Sequence, residues 1–276
     1  MLDRFQGLLL QPLDVHGGDS RRWCRSLGQV PVPYSVRAVG EGYDAIASFY
    51  DAWSRTVTED VPFYVEEAQA VAPGPVVELG VGTGRVAIPI AKAGARVIGV
   101  DSSPGMLAVC RQRAAAASVA GLLDLRLGDL RSPPVSESVP LVICPFRAYL
   151  HLAGERDRLR ALRAAYRLLV PGGKLVFDVF TPSRQDMAET HGVWLEREPG
   201  IFERALWDAR RRRLALSVRG PQGEATMTLF WASPREWRSL LERAGFRVEA
   251  CYGWFDRRPY AGGEDTVWIA RRLARE

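Results

Sequence analysis

The chain has 276 residues and a mass of 30.6 kDa, room for one large domain or two small ones. Hydrophobic residues make up 47% and charged residues 25%, which excludes wholesale disorder and a fibrous repeat. The formal charge is +5, but 35 of the 37 basic residues are arginine and asparagine is absent, a pattern of GC-rich coding that says little for a nucleic-acid partner.

No apolar run approaches the ~18 residues of a membrane-spanning helix, and Leu8–Leu10 is too short for a secretory leader. Cys24, Cys110, Cys144 and Cys251 are widely spaced with no C-x-x-C, so neither a zinc knuckle nor a disulfide framework is indicated. The chain reads as cytoplasmic and reduced.

Residues 1–40 hold the Gly17-Gly18 and Pro31-Val-Pro33 breakers without a sustained period, which predicts a loosely ordered extension. Over residues 41–72 apolar side chains recur at helical spacing (Ile46, Phe49, Tyr50, Trp53, then Phe63 and Tyr64), and Pro62 divides them into two helices. Strands are expected at 76–79, 96–100, 123–127, 139–144 and 174–180, with helices at 86–92, from Pro104 to the alanine run, and at 155–169. This alternation predicts right-handed crossovers and a parallel sheet covered on both faces. Residues 190–232 change to period two: Trp194, Phe202, Leu206, Leu214, Leu216, Val218, Met227, Leu229 and Trp231 fall in short stretches divided by Pro199-Gly200 and Gly220–Gly223. They read as antiparallel hairpins inserted after the fifth strand. Ser233-Pro234-x-Glu236 then opens a helix that ends at Gly245, before strands at 246–252 and 266–271.

The sharpest signal is Glu78-Leu-Gly80-Val81-Gly82-Thr83-Gly84 at a strand-to-helix junction. Glycines there allow a tight turn and close approach of a ligand, and the next helix offers free N–H groups. The G-x-G-x-G spacing differs from that of dinucleotide binders, and Glu78 is placed to face a cationic ligand instead of a pyrophosphate. Asp101 ends the second strand, where a carboxylate accepts from both hydroxyls of a ribose.

At these residues the sequence resembles the class I S-adenosylmethionine-dependent methyltransferases of small-molecule type. Asp101-Ser102-Ser-Pro-Gly-Met106-Leu107 is similar to the family's D-x-S-x-x-M-L, Gly128-Asp129-Leu130 to its acidic position after strand three, and Pro171-Gly-Gly173-Lys174 to its turn into strand five. The resemblance implies a doubly wound α/β sheet of seven mostly parallel strands in the order 3-2-1-4-5-7-6, its last strand antiparallel. The core would comprise residues 73–189 and 233–276, with the N-terminal helices of 41–72 covering the cofactor and 190–232 forming a lid. It also implies S-adenosylmethionine as cofactor: Gly80, Val81 and Gly82 at its methionine moiety, Asp101 at the ribose, Ser102 and Met106 about the adenine and Asp129 on the adenine amino group. Glu78, Gly128, Leu130 and Cys144 complete that set. Met106 equally suits a core position, and Asp129 a solvated turn.

The segment Tyr43-Asp44-x-x-Ala-x-x-Tyr50-Asp51 resembles the helix that closes over the cofactor in many small-molecule members, among them the glycine and amino-sugar N-methyltransferase-like ones. Tyr50 would lie near the methyl group, or would only staple the helix to the core with Trp53. In the loop after strand four, Arg147 stands where such relatives carry asparagine, and His151 matches a shared histidine. The catalytic candidates are therefore His151, Arg147 and Tyr50; the bland alternative is a histidine capping the next helix and an arginine paired to Glu155 or Asp51. No metal-ligating acidic trio is evident, which places an amine slightly ahead of a hydroxyl as the acceptor of a small molecule. A nucleic-acid or protein acceptor gripped by Arg210–Arg213 and a non-catalytic cofactor-binding module stay open, as does a homodimer formed through the insert.

Overall fold

The computed structural model describes residues 39–55 and 58–274. The loose extension expected over residues 1–40, Cys24 included, lies outside the described residues except for its last two. There helix α1 (Val39–Asp44) begins, followed by α2 (Tyr50–Trp53) and α3 (Asp60–Gln69). Pro62 does not divide a helix as expected: it sits in the first turn of α3, where its missing N–H removes no intrahelical bond.

The central sheet is built from β1 (Val76–Leu79), β2 (Val97–Asp101), β3 (Leu123–Leu127), β4 (Val139–Cys144), β5 (Leu169–Phe180), β10 (Phe246–Tyr252) and β11 (Asp265–Arg272). Their order is β3-β2-β1-β4-β5-β11-β10, the expected 3-2-1-4-5-7-6. Pairings β1–β2, β2–β3, β1–β4 and β4–β5 are parallel, and β11 runs antiparallel to both β5 and β10. Helices α4 (Ala87–Lys92), α5 (Pro104–Ala116) and α6 (Glu155–Leu168) make the crossovers. Four consecutive buried residues in β1 reflect a strand covered on both faces; Val76, Val77 and Leu79 are apolar, and Glu78 is the exception. Helix α8 (Pro234–Arg243) starts on the predicted capping box, Ser233 and Glu236 each satisfying the other's backbone N–H.

The insert after β5 differs from its reading in two respects. A helix, α7 (Arg184–Thr190), capped by Ser183, precedes it. Strands β6 (Trp194–Glu198), β7 (Ile201–Asp208), β8 (Arg213–Gly220) and β9 (Gly223–Phe230) then form a separate antiparallel sheet in sequence order. In β7 the buried face is Ile201, Glu203, Ala205 and Trp207, not the Phe202–Leu206 face that the hydrophobic text suggested. Trp194 pairs with Arg204 on the opposite face, its ring flanked by Arg204 and Arg219 at 4.7 and 4.5 Å. Arg210–Arg213 turn the corner from β7 to β8, with Arg211 bound to Asp208 and Arg212 to Glu236.

The sheet and the insert share one core, in which Trp237 of α8 is fully buried against Phe177 and Tyr149 at ring distances of 5.4 and 6.2 Å. Trp237→Ala is expected to destabilise the protein by about 3–5 kcal/mol, the usual loss for an excavated core aromatic. Urea unfolding measures this; a loss below 1 kcal/mol would show that the core refills the space.

Candidate active site

Three carboxylates lie at the carboxyl edge of the sheet, Glu78 and Asp178 buried and Asp101 half-buried. Glu78 near the end of β1 is 2% exposed and its Oε2 has no hydrogen-bond partner. Burial pushes its carboxyl well above the usual range, against the opposing pull of Arg85. Asp101 at the end of β2 accepts from the backbone N–H of Gly82 at 2.8 Å and of Ser103 at 2.9 Å, yet burial still raises its pKa. Asp178 in β5 accepts from Tyr64 Oη (2.6 Å) and from the backbone N–H of Phe146 and Arg147 (2.8 and 3.1 Å); burial pushes it up to about 6. Phe146 and Arg147 both have positive φ, a conformation unfavourable for side-chain-bearing residues, and these two hydrogen bonds hold it.

The glycine loop fits the space between these acids. Gly80 has φ +78°, and a Cβ there would meet that of Ala148 at 2.8 Å, so only glycine lets the loop close on the turn after β4. Gly82, at φ +53°, faces open space. Between Glu78, the loop, Tyr50, Arg85 and Phe146 lies a cavity of about 30 Å³, the size of a water-filled pocket. A cation would satisfy the orphaned Glu78 oxygen, and Asp101 keeps unused lone pairs on both oxygens. The donor set thus fits S-adenosylmethionine, which carries an ammonium at one end and vicinal hydroxyls in its middle.

The aspartates of the N-terminal segment dock it over this edge. Asp44 Oδ1 accepts from Ser103 Oγ at 2.6 Å and from Gly105 N–H at 2.8 Å at the start of α5. Asp51 accepts from Thr83 Oγ1 and from Arg113. Asp60 holds Arg85 through two hydrogen bonds of 2.7 and 2.5 Å. Tyr50 is 8% exposed, packs edge-on to Phe146 and Trp53, and has its hydroxyl pKa raised by burial.

The other predicted residues are distributed unevenly. Ser102 is exposed, whereas Met106 (1% exposed) belongs to the main core cluster, as does Cys144 (0%) at the end of β4. A Cβ on Gly128 would meet Pro134 Cδ at 2.3 Å. Leu130 packs on the core, and Asp129 is engaged by Arg131 through both carboxylate oxygens. Arg147 binds Asp265 at 2.7 Å and lies over the Phe180 ring, so its partner is neither Glu155 nor Asp51; those carboxylates serve Arg243 and Arg113. His151 does not cap the next helix. Its Nδ1 lies 3.2 Å from the Thr228 carbonyl of β9, which can only accept, so Nδ1 carries the proton and Nε2 accepts from Tyr43 Oη at 2.8 Å. Burial lowers its pKa to about 4, so the ring is neutral at physiological pH.

A doubly wound sheet with a reversed seventh strand, and a glycine loop between two carboxylates at its switch point, defines the Rossmann-like class I methyltransferases. Residues 76–173 match the methyltransferase domain family, and the chain is similar over most of its length to S-adenosylmethionine-dependent methyltransferases of this class. It is 25% identical over 241 residues to the cypemycin N-terminal methyltransferase of a Streptomyces species, covering 83% of this chain and 93% of that protein. It is 28% identical over 157 residues to the ubiquinone/menaquinone biosynthesis C-methyltransferase UbiE of Geotalea daltonii, where it spans only 64% of its relative. Among solved structures, the CcbJ methyltransferase of Streptomyces caelestis matches 84% of this chain and 98% of its own, with a TM-score of 0.75 and 29% identity.

The His151 assignment has a direct check. Nitrogen NMR should show a neutral Nδ1–H tautomer that protonates only near pH 4; protonation near pH 6.5 would contradict it. The unfolded chain binds this proton more readily than the folded one, so His151 contributes stability that is lost as pH falls from about 6.5 to about 4.

Proposed function

We propose that the protein transfers the methyl group to a small-molecule acceptor bearing a basic nitrogen, with an oxygen acceptor as the second choice. The supporting observation is the insert's placement. Its buried face lies over the carboxyl ends of β4 and β5, joined to them by His151–Thr228 and by Thr181 Oγ1 donating to the Ala232 carbonyl at 2.9 Å. A surface so enclosed and apolar acts as a lid, suits a small acceptor and keeps water from the reacting atoms. The cypemycin relative, by its name, methylates an amino terminus, which agrees with nitrogen.

A macromolecular acceptor is less well supported, because Arg211 and Arg212 at the hairpin tip are already paired with carboxylates. The large hydrophobic side chains exposed among the described residues, Leu127, Val193 and Leu273, give a dimer through the lid little apolar surface to use. No helix among the described residues is long and apolar enough to cross a membrane.

In this reading Glu78 receives the ammonium of the cofactor, Asp101 its ribose hydroxyls, and Gly80, Val81 and Gly82 line its methionine end. When bound, the cofactor supplies a methyl group on a cationic sulfur. The chain's part is to hold the nucleophile in line with that methyl group, with Tyr50 and Phe146 as aromatic walls. Asp129 would have to share its carboxylate between Arg131 and the adenine amino group. His151 is a positioning residue, since Tyr43 and Thr228 occupy both its ring nitrogens, while Arg147 gives Nη2 to Asp265 and keeps further donors for the acceptor.

A metabolite-library screen read by mass gain of one methyl group tests the acceptor class; product on RNA or protein alone would overturn it. Asp101→Ala is expected to weaken binding of S-adenosylhomocysteine by about 1.5–3 kcal/mol, the worth of a hydrogen bond to a charged group. Calorimetry measures this, and unchanged affinity would remove Asp101 from the cofactor site.

A further inference from the structure

Glu203 is a charged residue on an otherwise apolar face. It lies between Ile201 and Ala205 on the inward side of β7 and is 1% exposed. Its Oε2 accepts from Trp53 Nε1 at 2.7 Å, while its Oε1 is buried with no hydrogen-bond partner. Native structures rarely leave a buried carboxylate oxygen unsatisfied, and where they do the group commonly serves a ligand.

Its surroundings connect it to the reacting end of the site. The Trp53 ring packs at 5.6 Å on Tyr50, a wall of the glycine-loop cavity, and Arg147 adjoins Phe146, a second wall in edge contact with Tyr50. The charged and polar groups that face Glu203 are Arg197 from β6, Trp53 from α2 and Arg147 from the loop after β4. All three favour the carboxylate, yet burial outweighs them and pushes the carboxyl up to about 7. A carboxyl with that value exchanges protons near neutral pH, which suits an acid–base group.

We propose that Glu203 is the acceptor-binding base of the lid, its Oε1 receiving the ammonium of the acceptor and taking one of its protons. This rests on the reading of the acceptor as an amine. The N–H bond breaks, the proton moves to Oε1, and the electron pair stays on nitrogen. The neutral nitrogen then forms its bond to the methyl carbon as the carbon–sulfur bond breaks, that pair remaining on sulfur. The product leaves as an N-methylammonium, and Glu203 returns its proton to solvent.

The test compares benzylamine with benzyl alcohol, two probes of one shape, on wild-type protein and on Glu203→Gln, which keeps an acceptor for Trp53. In the presence of S-adenosylhomocysteine the variant should bind benzylamine at least tenfold more weakly, bind benzyl alcohol unchanged, and keep full affinity for S-adenosylhomocysteine. On wild-type protein alone, carbon NMR of labelled glutamate should show Glu203 titrating near 7, and below that once benzylamine is bound. Equal benzylamine affinity in both proteins, an unmoved titration, or no uptake of benzylamine by wild-type protein would each overturn the role of Glu203. With S-adenosylmethionine, wild-type protein that methylates benzyl alcohol and not benzylamine would overturn the amine reading itself; transfer to benzylamine retained by Glu203→Gln would overturn the role of Glu203 alone.

Discussion

The constraint on which the structure turns is the removal of Glu78 and Asp178, and in part of Asp101, from water at one edge of the sheet. A buried carboxylate needs compensation from donors or cations, or it takes up a proton. Asp101 and Asp178 receive backbone N–H groups from loops that must bend sharply to deliver them. Positive φ at Gly80, Gly82, Phe146 and Arg147 is therefore one feature repeated on two sides of the site. Glu78 differs in keeping an oxygen unsatisfied, which is what a site built for a cationic ligand requires.

The same electrostatics assemble the N-terminal cover. Helices α1, α2 and α3 have 6, 4 and 10 residues, too short to persist in isolation. Each is anchored by an aspartate that reaches the glycine-loop side of the core: Asp44 at the start of α5, Asp51 on Thr83 and Asp60 on Arg85. The Asp60–Arg85 pair is nearly buried, and removing one partner would leave a bare charge at a typical cost of about 3–5 kcal/mol. Arg85 also covers the Phe146 ring at 4.4 Å, so this latch braces a wall of the cavity.

Sequence patterning was most informative where a strand or helix has a single periodic meaning. The individual strands of the sheet, the capping box at Ser233 and the glycine loop were all legible, because each depends on residues close together in the chain; the strand order came with the family resemblance. The insert shows the limit. Glu203 breaks the apolar run Ile201, Ala205, Trp207, so Phe202 and Leu206 looked like the inward face, and a shift of one residue inverts a strand. Asp178 was readable in principle as a lone acid in an apolar strand, the same signature as Glu203. Partnerships such as Arg147–Asp265 and Tyr43–His151, separated by 118 and 108 residues, exist only once the sheet has closed.

The double tie between the N-terminal cover and the insert bears on the timing of a catalytic cycle. Tyr43 and His151 join α1 to β9, and Trp53 and Glu203 join α2 to β7. The N-terminal helices and the insert are thus tied to one another at two points. Lifting α1 and α2 far enough to exchange the spent donor also unseats the insert. On the proposed placement of donor and acceptor, breaking these two ties would open both sites together, so exchange of the spent donor would be coupled to movement of the insert.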